Sequence, residues 1–236
     1  MKRIFVLSFI MLSTIMAAQL RRNDSRLNDA YTDLTNRIEP NSTNMGTTNL
    51  NGSPYFDPEF KEATVTYFGK ILDDKVYLRY NAISDEMEMS LSPHATQSDQ
   101  ALIKNSKVSC DIKGAVYRYL PLTNGNTLLA KAGYVKEIYI GQKYSLYLRE
   151  RKVFREGKKA RTSLERSFPA RFVDESEWYF QKNQGVLNYI KLNKKNIKNY
   201  FESDIEHLET FLKNKKGDFK NIDYLKKLVR FMDELT

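Results

Sequence analysis

The 236-residue chain is short of the residues most often used for covalent and metal chemistry: it has one cysteine and two histidines. A single cysteine cannot close an internal disulfide, and with two histidines it cannot complete an ordinary closed zinc site of Cys and His ligands. Six prolines and ten glycines exclude a collagen or a Pro/Gly-rich low-complexity chain. Also absent are the Gly-x-Ser-x-Gly nucleophile elbow, a phosphate loop ending in Gly-Lys-Ser/Thr, and a His-Glu-x-x-His pair. A triad assembled from distant positions would have His94 as its only reasonable base. No apolar run reaches the ~20 residues that a helix needs to span a bilayer.

What is present describes a folded chain of one or two domains. Hydrophobic residues make up 41% and charged residues 28%, with 13 Phe, 15 Tyr and one Trp to fill a core. Lys2 and Arg3 precede an apolar run from Ile4 to Ile15, and small residues follow at Ala17-Ala18. That order is the pattern of a secretory signal peptide, with cleavage expected after Ala18. No cysteine lies near the cut to accept a lipid. An exported protein is expected, periplasmic, outer-membrane-associated or secreted, with no transmembrane span after cleavage.

Residues 19–54 are rich in Asn, Thr, Ser, Asp and Arg and read as a flexible leader, although Leu27, Ala30, Tyr31, Leu34 and Ile38 could form one docking helix before Pro40. Asn41-Ser42-Thr43 fits a glycosylation sequon. From residue 55 to 192 the period changes to two. Val76, Leu78 and Tyr80 alternate with polar neighbours, as do Met87, Met89 and Leu91, and further strands are expected over 64–68, 107–112, 115–119, 134–140, 143–153, 170–174, 177–182 and 186–192. Short links at Asp73-Asp74, Lys113-Gly114, Asn124-Gly125 and Gly141-Gln142 favour antiparallel hairpins, the last as a type II′ turn with positive φ at Gly141. Val108, Cys110 and Ile112 share one strand face, which reads the cysteine as a buried small hydrophobe. Residues 193–236 change period again into a helical tail. Asn193 can open a first helix, Ser203 and Glu206 form a capping box for a second that Lys215-Lys216-Gly217 closes, and Ile222, Leu225, Leu228, Val229, Met232 and Leu235 mark one face of a third. The expected class is α+β, a mainly antiparallel β body (sandwich, roll or open barrel) with a short C-terminal helical tail.

Gly52-Ser53-Pro54-Tyr55-Phe56-Asp57-Pro58-Glu59-Phe60, followed by Leu78-Arg79-Tyr80-Asn81-Ala82-Ile83-Ser84-Asp85-Glu86-Met87-Glu88, resembles a group of uncharacterised exported bacterial proteins. The resemblance takes in Pro169-Ala170-Arg171-Phe172 and the tail. It implies a β-rich body with a helical tail, and it brings no activity and no catalytic residues.

Two charge clusters stand out. Arg149, Arg151, Lys152, Arg155, Lys158, Lys159, Arg161 and Arg166, with Arg171, put nine basic residues against Glu150, Glu156 and Glu165, so this stretch carries most of the formal net charge of +9. Summed Coulomb attraction and the forked geometry of arginine suit such a segment to an anionic partner: an envelope protein, an acidic glycan or an anionic lipid headgroup. Nucleic acid ranks low, because export separates the chain from it and no recognition signature appears. Asp85, Glu86 and Glu88 are the densest acidic group in the β region. Strand alternation puts Glu86 and Glu88 on one face, a spacing that could serve carbohydrate hydrolysis or a weak Ca²⁺ site, or a solvated strand face. The tyrosines at 117, 119, 134, 139, 144, 147 and 179, with Trp178, read as packing residues before a sugar-stacking surface. The leading expectation is a non-enzymatic exported binding or interaction protein without a cofactor or metal; a hydrolase with its acidic site at Asp85, Glu86 and Glu88 is the alternative.

Overall fold

The computed structural model describes residues 34–37, 50–72, 75–98, 100–123, 131–162 and 164–235. The signal segment, most of the leader with its sequon, and the Asp73-Asp74 and Asn124-Gly125 turns lie outside them. The described residues are mostly β, with 43% in strands and 19% in helices, in antiparallel-rich sheets. In order the strands are β1 (Thr35–Arg37), β2 (Leu50–Asn51), β3 (Lys61–Tyr67), β4 (Lys70–Ile71), β5 (Val76–Asn81), β6 (Glu86–Ser90), β7 (Gln100–Leu102) and β8 (Val108–Ile112). They continue with β9 (Ala115–Thr123), β10 (Lys131–Tyr139), β11 (Tyr144–Arg149), β12 (Lys152–Arg155), β13 (Ala170–Asp174), β14 (Glu177–Lys182) and β15 (Leu187–Tyr189). Helices α1 (Lys194–Tyr200), α2 (Ile205–Asn214) and α3 (Ile222–Glu234) follow, with a 3₁₀ turn at Glu202–Asp204.

One sheet runs β1-β7-β6-β5-β3-β8-β9-β10-β11-β14-β15, and β15 returns to pair with β9. Strands β9, β10, β11, β14 and β15 therefore close a five-stranded barrel. Its seam is the parallel pair Leu187↔Leu122 and Asn188↔Thr123, while the other four joints are antiparallel. Alternation explains the interior. Leu122, Val135, Tyr147, Tyr179 and Leu187, one from each strand, are buried together, and their neighbours Leu146 and Phe180 face outward onto the helices. A second core lies under the β3–β8 portion, which stands outside the barrel and forms the first sheet of the fold; here Val65, Val76, Leu78, Met87, Met89, Val108 and Cys110 meet Tyr117 and Tyr134 from the barrel wall. The third joins Tyr144, Leu146 and Phe180 to Ile197, Phe201, Leu208, Phe211, Leu225, Leu228, Val229 and Met232 of the tail. Most of the tyrosines singled out in the sequence are thus core side chains, with phenol oxygens that reach polar partners.

Turn chemistry sets much of the register. Lys113 (φ 52°) and Gly114 (φ 89°) form the two-residue hairpin between Ile112 and Ala115, with the mirror-image twist that matches two strands. Phe68 and Gly69 do the same between β3 and β4, a hairpin the composition does not advertise. The Gly141-Gln142 link differs from expectation. Gly141 has no positive φ, the loop runs from Ile140 to Lys143, and its shape comes from the tail: the Asp233 carboxylate accepts the backbone N–H of Gln142, Lys143 and Tyr144 and the hydroxyl of Tyr139. A Cβ at Gly141 would overlap that carboxylate, so the glycine serves close approach rather than handedness.

Other expectations change too. The run over 143–153 divides at Glu150-Arg151, because β11 stays in the barrel while β12 leaves it for a small three-stranded sheet, β12-β13-β2. Ser203 makes no capping box; its hydroxyl binds Asp204 and Lys182, and α2 begins from the 3₁₀ turn without a side-chain cap. Asn193 caps α1 through Asn196 N–H, and Asn221 caps α3 through the N–H groups of Asp223 and Tyr224. Gly217 provides no left-handed stop: α2 ends at Asn214 with Lys215 extended, and Gly217 lets the Tyr224 ring pass. Of the leader, Leu34 is buried, β1 pairs with β7, and β2 pairs with β13. Among the described residues no helix is long and apolar enough to cross a membrane.

Candidate functional site

The acidic group is built around the β5–β6 hairpin. Asn81 faces Glu86 across the pair, and the register carries Arg79 opposite Glu88. Both side chains are only 6% exposed, with Arg79 Nη2 2.6 Å and Nε 3.0 Å from Glu88 Oε2. Asn81 Nδ2 donates to Glu88 Oε1 at 2.9 Å, and the Tyr55 hydroxyl lies 3.0 and 3.1 Å from the two carboxylate oxygens. The guanidinium is sandwiched by the rings of Tyr55 (3.9 Å) and Phe60 (4.2 Å), and its Nη1 donates to the carbonyls of Pro58 and Thr96. Burial first, and then the Glu88 charge, push the Tyr55 phenol up to about 12, so it stays a donor. The 52–60 motif that carries the sequence resemblance is thus the cover of a buried ion pair. Glu86 instead reaches Lys104 at 3.7 Å. Glu88 is neither on a solvated face nor open to a substrate.

Asp85 makes a second joint. Its left-handed backbone (φ 56°) turns the carboxylate toward the barrel, where Oδ1 accepts the Tyr80 hydroxyl (2.7 Å) and the Tyr134 N–H (3.1 Å), and Oδ2 meets Arg149 Nη2 (3.1 Å). Arg149 continues to Glu177 at 3.6 Å and lies over Gly133, where an added Cβ would come within 2.8 Å of the guanidinium. This chain of charges ties the hairpin of the first sheet to the barrel wall. Asp85, Glu86 and Glu88, adjacent in sequence, therefore serve three separate contacts.

The basic segment divides in the same way. Arg149, Arg151, Lys152 and Arg155 meet acids at its base: Arg151 with Glu177 (2.8 Å), Lys152 with Asp174 (3.6 Å) and Arg155 with Glu175 (2.5 Å). Lys152 also sits over the Phe56 ring at 4.6 Å, and its N–H donates to the Ala82 carbonyl. Beyond that base the β12–β13 hairpin extends through reciprocal backbone bonds between Lys158 and Phe168, both 2.8 Å. Ala160 N–H on Ser167 Oγ and Arg161 N–H on the Glu165 carboxylate fold the tip. Lys158, Lys159, Arg161 and Arg166 are exposed; Lys158 pairs with Glu165 at 3.4 Å, and the other three have no acidic partner among the described residues. The tip also exposes Leu164 (96%) and Phe168 (49%).

A cleft of about 310 Å³ lies where the first sheet meets the barrel, lined by Phe56, Lys61, Lys113, Tyr117, Lys136 and Glu150 among others. Several of its charges are paired at the wall: Glu150 accepts the Tyr117 hydroxyl (2.8 Å) and lies 3.4 Å from Lys136 Nζ, while Lys61 pairs with Asp57. Burial and then Glu150 push the Tyr117 phenol well above its ordinary range. The two histidines are exposed and far apart in the chain, His94 in the β6–β7 loop and His207 on α2. Among the described residues no group of three His, Cys, Asp or Glu side chains is placed to hold a metal ion.

Fold and site together define a β protein with a closed barrel and an anchored basic arm. The chain matches no protein-family model, no curated protein and no solved structure. Sequence reading found the arm's cations but missed Arg79, Tyr55 and Glu177. The signal for the first was present: with four residues, 82–85, in the hairpin loop, positions 79 and 88 must face each other.

Proposed function

We propose that this is an exported, non-enzymatic binding protein of the cell envelope that contacts an anionic partner through the basic arm. The observation that carries this reading is the separation within the segment: the cations at its base are paired with acids of the same chain, whereas Lys159, Arg161 and Arg166 stand exposed at the tip with no acidic partner among the described residues. A base fixed by ion pairs and backbone bonds presents the tip cations in a defined place, which lowers the ordering cost of binding. The signal-like N-terminus supplies the expectation of export. The acidic alternative draws no support from the geometry, since the carboxylates of Asp85 and Glu88 are engaged in buried and half-buried pairs.

The test is titration of the purified protein with heparin as a soluble polyanion at low and high salt. Binding that weakens with salt and falls by about two orders of magnitude or more in K159E/R161E/R166E is expected, at roughly 1 kcal/mol for each cation lost and more for the acids put in their place. Equal affinity of the triple variant overturns the reading.

A further inference from the structure

We infer that the anionic partner of the arm is a lipid surface, with Leu164 inserted among the headgroups and the tip cations spread around it. The inference rests on the reading of the arm as the contact and names its partner. Leu164 is 96% exposed, and Phe168 on the returning strand is half exposed. Leu164 sits between Arg161 and Arg166 at the tip, and Phe168 is backbone-paired with Lys158 across the same hairpin. A soluble acidic glycan or peptide would satisfy the cations and leave the leucine in water. The interface of an anionic bilayer takes both, since the apolar side chain enters the headgroup boundary while the cations stay at phosphate level.

The anchoring suits this role. Arg151–Glu177, Arg155–Glu175 and the Lys152 N–H to Ala82 carbonyl bond tie the hairpin's base to the barrel and to the first sheet. The apolar tip is presented by a fixed hairpin and needs no folding on contact. Among the described residues nothing covers Leu164, as its 96% exposure shows.

The experiment is co-sedimentation of the purified protein with vesicles of phosphatidylglycerol and phosphatidylcholine, with pure phosphatidylcholine vesicles and heparin in parallel. Wild type, Leu164→Ser and K159E/R161E/R166E are compared, and far-UV circular dichroism confirms that all three are folded. Binding to the mixed vesicles alone, weakened about tenfold by Leu164→Ser and about a hundredfold or more by the triple reversal, is expected. Heparin binding should be unchanged by Leu164→Ser. Heparin binding without vesicle binding, or vesicle binding indifferent to Leu164→Ser, overturns the lipid inference and leaves the anionic contact standing. No binding to either probe overturns both.

Discussion

Removing the Glu88 carboxylate is expected to damage the fold more than almost any other single change in the first sheet. Its partner Arg79 is 6% exposed, and Glu88→Ala would leave that guanidinium buried with only two carbonyls and two ring faces for company. The Tyr55 hydroxyl and the Asn81 amide would lose their acceptor in the same step. Breaking one side of a buried ion pair costs about 3–5 kcal/mol, because the surviving charge is uncompensated. In a chain of this length each kcal/mol moves the melting temperature by roughly 2–4 °C, so a fall of about 6–20 °C is expected. Glu88→Gln, which keeps the shape and some of the hydrogen bonds, should cost less. The double replacement Arg79→Met with Glu88→Leu removes both charges and should cost far less than the two single changes added together. Urea unfolding of wild type, Arg79→Met, Glu88→Leu and the double variant gives the coupling. A Glu88→Ala variant within about 1 kcal/mol of wild type, or strictly additive costs, would refute the reasoning.

Three further outcomes follow from the same structure. Burial, and then the Asp111 charge, push the Cys110 thiol up to about 12 from its ordinary 9.0, so iodoacetamide should label it about a thousandfold more slowly than an exposed thiol in native protein and readily in urea; equal rates would contradict its burial. Gly141→Ala drives a methyl into the carboxylate that holds three loop amides, and a loss of about 1–3 kcal/mol is expected in thermal melts, with unchanged stability showing that the loop can yield. Hydrogen bonds from Lys143, then Ser203 and Tyr144, hold the Asp204 carboxyl below its ordinary 3.8. A carboxyl whose pKa falls on folding contributes stability above its unfolded value and loses it as pH falls through the folded one. The deficit of Asp204→Asn in urea midpoint should therefore be full at neutral pH and shrink in acid below that ordinary value; a constant deficit would contradict the pairing.

The parts of the fold set by neighbours in sequence could be read directly. Period-two runs located the strands, Lys113-Gly114 located a hairpin, and Asn193 located a helix start, because each depends on residues a few positions apart. What depends on distant partners could not. The barrel closes through Leu187 beside Leu122, a parallel pairing that no local period encodes. Asp233 shapes a loop some ninety residues earlier, so Gly141-Gln142 looked like a self-sufficient turn. Ser203 and Glu206 had the right spacing for a capping box, but Lys182 and Asp204 compete for the hydroxyl. At the site, composition located the cations, and only the fold shows which of them are already paired.

Amide hydrogen exchange of the protein with and without phosphatidylglycerol-containing vesicles tests the central claim most directly. The account predicts slowed exchange confined to the arm around Lys158–Arg161 and Arg166–Phe168, with the Phe56, Tyr117 and Lys136 cleft and the helical tail unchanged. Protection centred on the cleft or the tail, with the arm unaffected, would contradict it.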